Sequence, residues 1–138
     1  MAMLTIIDDN EDFADAVATV LRNSGHDVKV ELNINSAKRN LTERLPDLII
    51  LDAKLPENGS ASFEVASALQ HFDEEFKEIP IMMMTSEKNN HVQKFKSTEI
   101  DKFLLPIDDF IEKPIDFSIL QEKIIGLLSR KNHKQLYN

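Results

Sequence analysis

With 138 residues, 42% hydrophobic and 29% charged, the chain has the size and composition of one globular domain around one core, not of two domains or a disordered polypeptide. A formal net charge of -8 sets most of its surface against a phosphate backbone or an anionic membrane, so neither nucleic acid nor membrane is an expected partner. The absence of cysteine excludes disulfides and thiolate metal sites; no apolar run nears the roughly 18 residues that span a bilayer, and no secretory-type pattern opens the chain, so a cytoplasmic protein is expected.

The first predicted element is a strand, Leu4–Ile7, which runs directly into Asp8, Asp9, Glu11 and Asp12. A helix follows, with Phe13, Ala16, Val17, Val20 and Leu21 on one face and Gly25 as its stop. Next come a strand at Val28–Leu32, a helix over 36–45, a strand at Leu48–Leu51 and a helix over 63–72. The series ends with a strand at Ile79–Met84, a helix over 88–96, a weak strand at Phe110–Ile111 and a helix over 117–128. Residues 131–138 are assigned to a polar C-terminal tail behind a domain of 1–130. Strands that alternate with helices predict an α/β fold with a parallel sheet covered on both faces. Runs such as LIIL and IMMM, which lack polar alternation, suit strands buried on both sides.

Open parallel sheets bind ligands beyond the carboxyl ends of their strands. The residues found there are Asp8 and Asp9 after strand one, Asp52 after strand three, Thr85 and Ser86 after strand four, and Lys113 and Pro114 after strand five. Each has an ordinary structural explanation alone, since Asp caps helices, Thr ends strands and Lys-Pro makes turns. Their coincidence on one rim is the signal. Three carboxylates together raise one another's pKa unless a cation joins them, and an oxygen-only site suits Mg2+. Asp52, alone at its strand end, is the candidate nucleophile for a phosphoryl group, with Lys113 and the Thr85 hydroxyl to share the developing charge.

The stretches IIDDN (6–10), LIILDAKLP (48–56), PIMMMTS (80–86) and DFIEKPID (109–116) together resemble the receiver domain of two-component response regulators, of the single-domain chemotaxis or phosphorelay type. The resemblance implies a flavodoxin-like (βα)5 sheet in strand order 2-1-3-4-5. It also implies phosphorylation of Asp52 by the phosphohistidine of a sensor histidine kinase or phosphotransfer protein. Asp9 would bind Mg2+ directly and Asp8 beside it or through water, with Asp52 and the main-chain carbonyl of Lys54 as further ligands. Thr85 would move toward the phosphoryl group, Lys113 would pair with it, and the Phe110 rotamer would report the change. The Lys113–Pro114 bond is expected to be cis. The signal would leave through a surface of the fourth helix, fifth strand and fifth helix, to an effector protein or a homodimer partner.

Two stretches depart from the family pattern. ENGSAS lengthens the loop after Pro56, and KSTEIDKFLLPIDDF replaces a short turn before strand five, with Phe103, Leu104 and Leu105 expected to cover the end of the sheet. Lys54, within reach of Glu87, is expected to shield the aspartyl phosphate from water and prolong its lifetime. A haloacid-dehalogenase-like phosphohydrolase would carry a second Asp at position 54, where lysine stands, so enzymatic turnover beyond the domain's own phosphorylation and dephosphorylation is not expected. A degenerate receiver that only docks or dimerises is the remaining alternative. With about ten residues after the last helix, no output domain is expected within this chain.

Overall fold

The computed structural model describes residues 2–52, 78–86 and 107–137. These form five strands, β1 (Met3–Ile7), β2 (Asp27–Glu31), β3 (Leu48–Asp52), β4 (Ile81–Ser86) and β5 (Asp109–Lys113), and three helices, α1 (Glu11–Asn23), α2 (Ile34–Glu43) and α3 (Phe117–Tyr137). The strands make one parallel sheet in the order β2-β1-β3-β4-β5. This is the flavodoxin-like order that the family resemblance implies. The predicted helices at 63–72 and 88–96, the ENGSAS loop, Phe103–Leu105, Lys54 and Glu87 lie outside the described residues.

Side chains alternate across a strand, and the two faces of this sheet close two cores. Leu4, Ile6, Leu48, Ile50, Met82, Met84 and Ile111 pack with Ala14, Val17, Ala18 and Leu21 of α1 and Leu120, Ile124 and Leu127 of α3. Ile7, Ile49, Leu51, Ile81 and Met83 pack on the other face with Ala37 and Leu41 of α2. Every residue of β3 is buried, so LIIL needs no polar alternation. The three methionines alternate between the two cores, where flexible side chains fill irregular gaps.

Helix ends explain where the elements differ from expectation. Asn10 caps α1 by accepting the Phe13 N–H at 3.1 Å, and Gly25, at φ +97°, closes it. The Gly25 N–H donates to the Arg22 carbonyl and the His26 N–H to the Leu21 carbonyl, a pairing that depends on the left-handed glycine. β2 stops at Glu31, and Leu32 is left outside it, because Asn33 caps α2 by accepting the Ser36 N–H at 2.8 Å. The helix therefore begins at Ile34, two residues before the predicted start. Buried Glu31 ties the pair together by accepting from Ser36 Oγ at 2.9 Å and Asn40 Nδ2 at 2.7 Å. α3 runs on to Tyr137 instead of ending at 128, since SRKNHKQLY contains neither glycine nor proline to break it. The backbone of 131–137, expected as a tail, is thus helical.

Candidate functional site

The site follows from topology. β1 is flanked by β2 on one side and β3 on the other, which makes the carboxyl ends of β1 and β3 the topological switch point where open parallel sheets place their binding crevice. Ile7 pairs with Leu51, which sets Asp8 and Asp52, the next residue of each chain, side by side. Asp8 continues the row of Leu4 and Ile6, Asp52 that of Leu48 and Ile50, and Lys113 that of Ile111. Three strands therefore deliver two carboxylates and one ammonium above the same core.

Single oxygens of Asp8, Asp9 and Asp52 lie within 4.8 Å of one another. Asp8 is wholly buried and Asp52 nearly so, whereas Asp9 is exposed at the mouth. Asp8 Oδ1 accepts the Asn10 N–H at 2.9 Å, while its Oδ2 is buried without a hydrogen-bond partner. Lys113 Nζ stands 3.4 Å from Asp52 Oδ1 and 3.8 Å from Asp8 Oδ2. The sequence predicted Lys113 on the same rim as the carboxylates, and the structure brings it against two of them. Among the described residues the structure gives the acidic cluster one ammonium, which is too little for three carboxylates. Burial pushes the Asp8 carboxyl up from 3.8 to about 6; the Asn10 N–H bond opposes this, nearby Asp52 adds to it and Lys113 opposes it.

An orphaned buried carboxylate oxygen, two further carboxylates at hand and no nitrogen or sulfur donor among them fit a hard dication such as Mg2+. A bound cation would satisfy Asp8 Oδ2 and remove the penalty that holds its proton on.

Thr85 is buried, and its hydroxyl donates to the Ile111 carbonyl at a long 3.5 Å. It continues the row of Ile81 and Met83, the face against which Phe110 packs, and Phe110 is the register partner of Met83. Thr85, whose register partner is Glu112, therefore lies on the same face as Phe110, two residues along the ladder from it. Beyond Phe110 an open cleft of about 270 Å³ is lined by Glu112, Pro114, Asp116, Ile119 and Lys123. Lys123 pairs with Asp109 at 3.0 Å beside it. The Lys113–Pro114 peptide bond is cis.

One contact was not anticipated. Phe13, expected as a core position of the first helix, is half-buried against that core and also places its ring 4.3 Å from Lys113 Nζ. Helical periodicity gives a residue's face but not its position relative to a strand end about 100 residues away, so the sequence held no signal for this pairing. His26 accepts the Ala2 N–H at 3.3 Å through Nδ1, and burial lowers its pKa.

The model of the response regulator receiver domain family matches residues 4–125. Among curated proteins, the chain is 31% identical over 127 residues to the phosphate regulon transcriptional regulatory protein PhoB of Pseudomonas aeruginosa, covering 92% of this chain and 52% of that protein. It is 28% identical over 130 residues to the transcriptional regulatory protein AfsQ1 of Streptomyces coelicolor, covering 94% of this chain and 52% of the relative. The chain thus spans about half the length of these relatives. The fold superposes on the receiver domain of NtrX from Brucella abortus with a TM-score of 0.72 at 25% identity, covering 91% of this chain and 98% of that one. It superposes on the chemotaxis response regulator CheY4 of Vibrio cholerae at 0.75 and 20%, covering 92% and 98%, a likeness of fold.

Proposed function

The chain belongs to the response regulator receiver domain family of two-component signalling, and on that premise we propose that Asp52 accepts a phosphoryl group with Mg2+ held by Asp8, Asp9 and Asp52. The donor is the phosphohistidine of a sensor histidine kinase or phosphotransfer protein, and a cytoplasmic location belongs to the same reading. The observation that carries it is the convergence of three carboxylates and one ammonium at a single crevice, with a buried carboxylate oxygen left without a hydrogen bond. Such a cluster is a poor way to stabilise a fold and a good way to receive a dianionic group.

In the transfer, an Asp52 carboxylate oxygen attacks phosphorus while the bond from phosphorus to the donor nitrogen breaks. The departing imidazole keeps that electron pair and takes up a proton from water. Lys113, already 3.4 Å from Asp52, pairs with a phosphoryl oxygen where it stands. Thr85 reaches another by giving up its long bond to the Ile111 carbonyl. A dication on the acidic cluster supplies charge neutralisation of the carboxylates and the arriving oxygens.

When Thr85 draws toward the phosphoryl group it vacates space on the face it shares with Phe110, and that ring turns inward to fill it. The turn reshapes the cleft bounded by β5 and α3, which with the predicted helix at 88–96 forms the surface for an effector protein or a homodimer partner. In the same proposal the main-chain carbonyl of Lys54 has the role of a further metal ligand and the Lys54 side chain, with Glu87, that of screening the aspartyl phosphate from water. Lys54→Ala is accordingly expected to lose its phosphoryl group severalfold faster, followed by phosphate release after donor removal; an unchanged decay rate would dispose of the screening role.

The test of the main reading is incubation with a small phosphodonor and Mg2+. One phosphoryl group per chain is expected by intact mass, mapped to Asp52 and suppressed by a chelator. No uptake would leave a docking or dimerisation module, and steady turnover of a phosphate ester would indicate a phosphohydrolase.

A further inference from the structure

Lys113 is held from three sides, and the third is not a carboxylate. Its ammonium lies 3.4 Å from Asp52, 3.8 Å from Asp8 and 4.3 Å from the centroid of the Phe13 ring. Phe13 is itself fixed at the start of α1, because Asn10 Oδ1 accepts its N–H at 3.1 Å. Asn10 in turn donates its own N–H to Asp8 Oδ1 at 2.9 Å. The contacts close a circuit that leaves Asp8 through Asn10 and Phe13 and returns to it through Lys113. Core packing alone would be served by any aliphatic residue at this position. The face of an aromatic ring adds an attraction for a cation that an aliphatic side chain lacks. A lysine stem has four rotatable bonds, and an ammonium that leaves for water is no longer in the crevice when a phosphoryl group arrives.

We propose that Phe13 is a positioning residue whose ring retains the Lys113 ammonium over Asp8 and Asp52, and so sets how strongly Lys113 competes with a bound cation and how fast Asp52 is phosphorylated. The second consequence rests on Asp52 being the acceptor; the first does not.

The two are separated by a double-mutant cycle on the full chain: wild type, Phe13→Leu, Lys113→Ala and the pair. Mg2+ affinity is measured by calorimetry and phosphoryl uptake by intact mass. With the ring gone the ammonium escapes to solvent, so Phe13→Leu is expected to bind Mg2+ about three- to tenfold more tightly and to take up phosphoryl groups more slowly by a similar factor. Phe13→Tyr, which keeps the ring face, should match wild type in both. In the Lys113→Ala background Phe13→Leu should change neither, which no general packing defect would reproduce. Weaker or unchanged Mg2+ binding by Phe13→Leu, or an equal shift with and without Lys113, would overturn the proposal. Absence of phosphoryl uptake by wild type would remove Asp52 as acceptor and leave the Mg2+ cycle to decide on Phe13.

Discussion

Asp52→Asn is expected to take up no phosphoryl group at any Mg2+ concentration, a loss to below detection and not a partial one. The side-chain amide is no nucleophile near neutral pH, and neither neighbour is placed to replace it. Asp8 is wholly buried, and Asp9 lies exposed at the mouth, away from the row shared by Asp52 and Lys113. The substitution is close to isosteric, so the strand that carries it is undisturbed and the loss reports chemistry. It has a second consequence that does not depend on phosphorylation. Asp52 is one of the charges that raise the Asp8 pKa, so Asp52→Asn should lower that pKa from about 6 without restoring it to 3.8, because burial is the larger cause. Carbon NMR of the Asp8 carboxyl during a pH titration would follow it. Label on the Asp52→Asn chain, in intact mass or peptide maps, would mean that a different side chain is the acceptor.

The parts of this site that could be read in the sequence are those fixed by strand periodicity. LIIL and IMMM announce strands buried on both faces, and the polar residue after each apolar run falls on the carboxyl rim by the geometry of a parallel sheet. Alternation would even have told Asp8 from Asp9, since Asp8 continues the row of Leu4 and Ile6 while Asp9 does not. Helix boundaries were less legible because one capping side chain decides them: Asn33 moves the start of α2 to Ile34, and the lack of a stop carries α3 to Tyr137. Contacts between remote elements were not legible. The distance from Phe13 to Lys113 depends on the pitch of α1 against β5, and the hydroxyl partner of Thr85 is a backbone carbonyl, which no residue type reveals.

Asp8→Asn is expected to stabilise the metal-free protein by roughly 2–3 kcal/mol at pH 8 and to change it little at pH 4. In wild type the Asp8 carboxyl titrates near 6 when folded, against an ordinary 3.8. Below both values the group is protonated in either state and contributes no difference. As pH rises between them the unfolded chain gives up its proton first while the native state keeps it, so stability falls across that window and stays low above it. Asparagine does not titrate and escapes this loss. Its Oδ1 can keep the Asn10 N–H, and its amide N–H places a neutral donor in the acidic cluster where Oδ2 stood without a hydrogen bond. Urea unfolding with a chelator present, at pH 4 and pH 8, measures both halves. An Asn variant less stable than wild type at pH 8, or a difference independent of pH, would mean that the buried carboxylate is not the strained group it is taken for. The same substitution should abolish the gain in stability that Mg2+ brings to wild type at pH 8, because the oxygen that needs the cation is gone. For wild type, that gain should fade below pH 6, with Mg2+ affinity dropping about tenfold per pH unit as the proton takes the cation's place. A carboxylate whose removal strengthens the fold and destroys the cation site is kept for what it binds, and that is why an apolar strand runs straight into uncompensated charge.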